Sequence, residues 1–223
     1  MYKPAINALD LHFNIMLETK GLSFSYPKGE PFNFPSFRVG TGDVLLILGQ
    51  SGKGKTTLLH LLAGLLIPIK GTVNIDNIAL ESLSGSTKDK FRGEKIGIIF
   101  QQAQFVKSIS VLQNLELARS LAGAKPNKQL AEGLLKELGI EKRMYAKPSE
   151  LSIGERQRAS IARALVTEPK VVLADEPTSA LDDQNCGLVA DLLQKTVNGH
   201  GASLVVVTHD QRLKDRFQNS IIL

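Results

Sequence analysis

Val44-Leu45-Leu46-Ile47-Leu48-Gly49-Gln50-Ser51-Gly52-Lys53-Gly54-Lys55-Thr56-Thr57 is the stretch on which the reading of this chain turns. Its first five residues form an unbroken branched apolar run, the pattern of a short strand buried on both faces of a parallel sheet. The residues that follow fit G-x-x-x-x-G-K-[ST], set between that strand and a helix beginning near Lys55. In such a loop the glycines let backbone N–H groups converge on phosphate oxygens, and the helix N-terminus adds its dipole. Gly49, Gln50, Ser51, Gly52, Lys53, Gly54, Lys55, Thr56 and Thr57 are therefore candidate phosphate-binding residues. Lys55 is expected to neutralise β/γ charge and Thr56 to offer its hydroxyl to Mg²⁺.

Two further apolar runs, Val171–Ala174 and Leu204–Val207, read as strands of the same kind. The first leads into Asp175 and Glu176, acids at the C-terminal end of a strand, where α/β sheets bind ligands. Asp175 is the expected Mg²⁺ partner, and Glu176 the base for the water that attacks a γ-phosphate. Pro177 is expected to hold Glu176 in extended geometry. His209 follows the third run and is placed to meet the γ-phosphate. Gln101 follows a strand pattern over Ile96–Phe100 and is expected near Mg²⁺ or the attacking water.

Helical patterns over Lys55–Leu66, Glu155–Val166 and Leu188–Val197 alternate with the runs, which makes the class α/β with a parallel sheet. Leu22–Tyr26, Phe32–Val39 and Gly71–Ile78 look extended and predict a small antiparallel β layer near the N-terminus. Between Ala103 and Pro148 helical patterns dominate, over Val111–Leu121 and Lys128–Leu138. The reading is one cassette over 1–223: an extension over about 1–15, an α/β core over about 16–101 and 149–223, and an inserted helical lobe over about 102–148.

Leu151-Ser152-Ile153-Gly154-Glu155-Arg156-Gln157-Arg158 resembles the signature sequence of ABC ATPases. Phe100-Gln101 looks like that family's Q-loop, Ser179-Ala180-Leu181-Asp182 its D-loop, and Thr208-His209-Asp210 its switch histidine. The resemblance runs from about Met16 to the end and is strongest to bacterial cassettes of the lipoprotein-release and macrolide-export group. It implies ATP and Mg²⁺ as cofactors, ATP hydrolysis, and a head-to-tail homodimer that sandwiches two ATPs. It also implies an integral-membrane permease partner and a cytoplasmic location against the inner face of the plasma membrane. By the same resemblance Tyr26 stacks on adenine, and Ser152, Gly154, Glu155 and Asp182 join the nucleotide-binding set, with Ser152 and Gly154 acting on the partner's ATP. Read from its residues alone, Ser152-x-x-Glu155 is a capping box opening a helix. Ile153 stands where the common signature has a second glycine, and at a first helical position it fits with negative φ. Coupling to the permease is implied for Gln102 through Leu115, where Phe105, Val106, Ile109 and Val111 serve either docking or the core.

Composition is that of an ordinary globular protein, 43% hydrophobic and 22% charged. The net charge of +5 is spread among acids, so no nucleic-acid partner is expected. The one cysteine, Cys186, excludes an internal disulfide framework and reads as a small apolar filler. Leu58–Ile67 is too short to span a bilayer, which needs ~20 apolar residues, and the first residues lack a secretory h-region. Two rivals share much of this pattern, a soluble ABC ATPase and a cassette that transmits a mechanical signal without transport. The first usually carries a coiled-coil insertion or tandem cassettes, which are absent here.

Overall fold

The computed structural model describes residues 14–50, 52–179 and 181–223, leaving aside the side chains of 184, 196–198 and 200. Ser51 and most of the expected N-terminal extension fall outside those residues. The strands are β1 (Ile15–Phe24), β2 (Phe32–Asn33), β3 (Arg38–Gly40), β4 (Val44–Leu48), β5 (Lys70–Ile75), β6 (Ile78–Ala79), β7 (Ile96–Ile99), β8 (Val171–Asp175), β9 (Ser203–Thr208) and β10 (Ser220–Ile222). The helices are α1 (Lys55–Leu62), α2 (Gly85–Lys95), α3 (Val111–Leu121), α4 (Lys128–Glu137), α5 (Ile153–Leu165), α6 (Asp183–His200) and α7 (Gln211–Lys214).

The parallel sheet has the order β10-β4-β9-β8-β7. All three apolar runs lie at its centre, and their side chains alternate between two cores. Leu46, Ala174, Leu204 and Val206 pack with α3, α4, α5 and α6 on one face. Leu45, Ile47, Leu173, Val205 and Val207 pack with α1 and the antiparallel sheet on the other. Burial on both faces is why these strands are continuously apolar, each full burial of a Leu or Val being worth about 1.5–3 kcal/mol. The second sheet is antiparallel, β2-β1-β5-β6 with β3 also on β1, as the alternating N-terminal segments predict. Ile15 already belongs to it, pairing with Gly40, and just before β1 the Asn14 carbonyl accepts from Thr41 N–H.

Several boundaries differ from the expected ones, each for a local reason. Helix α1 stops at Leu62 rather than Leu66, because Gly64 turns left-handed at φ 63° and the Leu65 and Leu66 N–H groups fold back onto the His60 carbonyl. Helix α6 begins five residues earlier than its apolar pattern, where the Asp182 carboxylate caps Asn185 N–H, and it runs to Gly201 at φ 60°. Helix α2 and strand β10 were not anticipated. The first has only Phe91 buried, so it carries no apolar stripe to read, and the second is three residues at a sheet edge. Cys186 is buried as a filler. Among the described residues no helix is long and apolar enough to cross a membrane.

Candidate functional site

Because β4, β8 and β9 are parallel and adjacent, their C-terminal ends meet at one edge of the sheet. There Phe32, Gln50, Gly52, Gly54, Lys55, Thr56, Thr57, Gln101, Asp175, Glu176 and His209 line a cleft of about 630 Å³. The phosphate-loop residues that line it stand at the start of α1. Gly52 and Gly54 have φ of 82° and 86°, a region in which only glycine sits without strain. Lys55 Nζ donates to the Gly49 and Gln50 carbonyls at 2.8 and 3.2 Å. Its ammonium thus spans the loop and lies ready for a stronger anionic acceptor.

Asp175 ends β8 and accepts from Thr56 Oγ1 at 2.9 Å, the contact that joins the loop to the acidic strand end. Burial pushes its carboxyl above the usual range, opposed in part by the Thr56 hydroxyl. A carboxylate disfavoured by desolvation, beside a hydroxyl and within a cleft that Gln101 also lines, is an all-oxygen donor set suited to Mg²⁺. No cluster of three His, Cys, Asp or Glu able to hold a metal by itself occurs among the described residues. The donor set thus matches an ion that takes only one or two protein carboxylates and completes its shell with neutral oxygens, phosphate and water.

Glu176 corrects one expectation. Its φ is 46°, left-handed rather than extended. Pro177 disfavours right-handed helical geometry at Glu176, but contacts with β9 decide the alternative. Glu176 N–H donates to the Val207 carbonyl at 2.8 Å, while its carboxylate accepts from Thr208 Oγ1 at 3.1 Å and His209 N–H at 3.4 Å and meets His209 Nδ1 at 2.6 Å. Such strain costs about 1–3 kcal/mol and persists where surroundings over-determine it. The result is a buried residue, 8% exposed, whose carboxylate is held by three groups in the lining of the cleft.

The neighbouring loops are held by a residue that sequence reading passed over. Arg212 donates to both oxygens of Asp210, to Asp183 and to the carbonyls of Leu181 and Thr178, and Thr178 Oγ1 donates to Asp210. The guanidinium holds the Asp210 carboxyl far below the usual carboxylate range. This network ties the segment after Glu176 to the segment after His209. Phe32 was also passed over: it lines the cleft, stacks on Phe34 at 6.0 Å, and would meet any Cβ on Gly54. Its only sequence signal was the alternation in Phe32-Asn33-Phe34.

Tyr26 lies next to this aromatic cluster, edge-on to Phe24 and Phe32, with its hydroxyl 3.3 Å from Thr57 Oγ1. It does not line the cleft.

Ser152, Gly154, Glu155 and Asp182 also do not line it. Ser152 caps α5 in a full box: its hydroxyl accepts from Glu155 N–H at 3.2 Å, and the Glu155 carboxylate accepts from Ser152 N–H at 2.8 Å. Ile153 is the first helical residue, 59% exposed and without positive φ, so its β-branch is tolerated there. It borders a second cleft, of about 330 Å³, together with Gln101, Arg156, Gln157, Glu176 and Leu181. Asp182 caps α6, and Asn185 links that cap to Arg158 of α5.

The Glu155 carboxyl is held at about 2, first by the Arg143 guanidinium at 2.8 Å and then by Ser152 N–H. A depressed folded-state pKa contributes stability above the unfolded value and loses it as pH falls toward the folded one. Wild type is therefore expected to exceed Glu155→Gln in urea midpoint by a constant margin from pH 7 to 5, with the margin shrinking as pH drops from about 4.5 toward 2. A margin independent of pH over that window would contradict this account of the cap.

A glycine-rich loop, a strand-end acid bound to its threonine, and a buried carboxylate at one cleft define a P-loop nucleotide hydrolase. Residues 32–179 match the family model described as ABC transporter. The lipoprotein-releasing system ATP-binding protein LolD of Buchnera aphidicola subsp. Schizaphis graminum is 40% identical over 205 residues, 89% of this chain and 90% of that protein. The dimeric ATP-binding cassette MJ0796 in a post-hydrolysis state with ADP and Pi superposes with a TM-score of 0.85 at 34% identity, covering 93% of this chain and 94% of that one. cbiO1 from Clostridium perfringens, part of the ABC transporter complex cbiONQ, gives a TM-score of 0.83 at 29% identity, covering 94% and 84%. The chain belongs to the ABC transporter family and is an ABC-type ATPase.

Proposed function

We propose that this chain is the motor subunit of a membrane transporter, hydrolysing MgATP between two head-to-tail copies and passing the closure to a permease. The observation that carries the trans arrangement is the separation within one chain. The phosphate loop, Asp175, Glu176, Gln101 and His209 share a cleft, while the capped helix start at Ser152 and Gly154 stands outside it. A helix start with free N–H groups is an anion site in need of an anion, and a second copy's ATP supplies one.

In this reading Lys55 and the loop N–H groups hold the β- and γ-phosphates, and Tyr26 and Phe32 flank the base side of the nucleotide. Thr56, Asp175 and Gln101 hold Mg²⁺, which when bound neutralises charge between the phosphates. Glu176 accepts a proton from the water whose oxygen bonds to the γ-phosphorus as the bond to the β-phosphate oxygen breaks, leaving ADP and inorganic phosphate. His209, held by Glu176 through Nδ1, contacts the γ-phosphate. Ser152 and Gly154 bind the same phosphate from the partner copy, with Glu155 and Asp182 holding the helix starts there. Both copies work at the cytoplasmic face of the plasma membrane. The likeness to LolD supports release of lipoproteins as the transport task.

Docking falls to the groove beside Gln101. Val106 is 45% exposed and Phe105 half-buried, whereas Val111 is wholly buried and belongs to the core.

Complementation tests the trans site. Lys55→Ala removes the phosphate cation. Gly154→Asp places a negative charge at the signature helix start, where a Cβ meets nothing closer than 3.4 Å and an acid suits the helix dipole. Each variant alone is expected to be inactive, and their mixture to regain ATPase activity, since a mixed dimer holds one intact loop facing one intact signature. A mixture as inactive as its parts would mean that the signature serves its own chain's cleft or none.

A further inference from the structure

At the C-terminal end of α5 lies a groove of about 680 Å³, with Ile98, Phe100, Phe105, Val106, Leu117 and Leu121 in its walls. Leu121 is 78% exposed, so the groove has an apolar rim as well as an apolar floor. Two arginines also line it. Arg92 is provided for, by Asp89 and by the Gly64 carbonyl at 3.5 Å.

Arg163 is not provided for. It stands in the last turn of α5, and its guanidinium carbon lies 5.2 Å from the centre of the Phe105 ring. No carboxylate pairs with it among the described residues, and burial pulls its pKa downward with no acid to oppose the shift. Guanidinium stays charged in proteins, so the chain cannot relieve this cost by releasing a proton. The aromatic face and the carbonyl end of the helix return part of the lost hydration, but neither provides the bidentate acceptor that the group is built for. The Asp89–Arg92 pair, Gln104, Asn114 and Thr167 also line the groove, but among the described residues its one unpaired charge is Arg163, so it is complementary to a largely apolar surface bearing one anion there.

We propose that the segment of the membrane subunit that docks here lays an apolar face on Val106, Leu117 and Leu121 and seats an Asp or Glu carboxylate on the Arg163 guanidinium. This rests on the docking reading above and adds the chemistry of the occupant. Covering the groove makes the acid more valuable, because the occupant excludes water from the pair. It also gives selectivity: a segment presenting Lys at that point is rejected, and one presenting an uncharged residue leaves the arginine buried and unpaired. Arg163 lines this groove and not the nucleotide cleft.

The test uses three fluorescein-labelled amphipathic helical peptides, identical except for Glu, Gln or Lys at the centre of the apolar face, titrated by anisotropy onto the full-length cassette. Wild type is expected to bind the Glu peptide at least tenfold more tightly than the Gln peptide, and the Lys peptide least. Arg163→Gln is expected to abolish the Glu preference. Leu121→Asp is expected to weaken all three. Equal binding of Glu and Gln peptides to wild type, with Leu121→Asp still weakening both, overturns the carboxylate assignment and leaves the docking reading standing. Absence of binding, or binding indifferent to Leu121→Asp, overturns the docking reading and the assignment with it. Since the decisive comparison is between peptides on wild-type protein, a folding defect in the Arg163 variant does not blunt it.

Discussion

Glu176→Gln is expected to lower kcat for ATP by about 10²–10⁴ while leaving ATP affinity within a few-fold of wild type. The amide keeps the size of the carboxylate, and its oxygen still accepts from Thr208 Oγ1, so the left-handed backbone and the loop around it are retained. What is lost is the capacity to take a proton. With turnover slowed, ATP is expected to accumulate in the closed state and convert the protein from monomer to dimer, read as a doubling of mass by light scattering with ATP and Mg²⁺. Near-normal hydrolysis would remove Glu176 as the base. A monomer that binds ATP would mean that the permease must first align the pair.

Gly54→Ala is expected to weaken ATP binding by about ten- to a hundredfold, on two additive causes worth together about 1–3 kcal/mol. At φ 86° an L-residue is strained, and its Cβ would sit 2.7 Å from the edge of the Phe32 ring and 3.2 Å from that of Phe34. The cheapest relief is to move the loop, which displaces the N–H groups that converge on the phosphates. Isothermal titration with ATP measures the loss. A global unfolding midpoint close to that of wild type would show that the damage is local, whereas an affinity within twofold of wild type would show that the loop absorbs the strain without losing its shape. Phe32→Leu in the Gly54→Ala background, by withdrawing the ring, is expected to recover part of the affinity.

The two variants probe different parts of the same convergence. Gly54 shapes the backbone that receives the phosphates, and Glu176 acts only once they are in place. Arg212 stands between these roles, since it lies outside the cleft lining yet ties the segment after His209 to the segment after Glu176.

Much of this molecule was legible in its order of residues because the relevant physics is local. The three central strands are apolar on both faces, so they announce themselves as unbroken runs, and the Gly-x-x-x-x-Gly-Lys-Thr pattern needs only its flanking strand and helix to be read. The Ser152 and Glu155 cap was visible for the same reason: both partners lie within one turn. Tertiary structure alone decided the rest. Glu176 is left-handed because β9, 30-odd residues onward, offers its end to the carboxylate, and no rule about Pro177 contains that strand. Phe32 reached the phosphate loop, and Arg212 the loop after Glu176, through contacts between distant segments. Arg163 was only a basic residue in a helix until Phe105 and the groove closed around it. Sequence specifies what each segment is when its determinants are neighbours, and folding decides what a side chain faces when its partner comes from elsewhere in the chain.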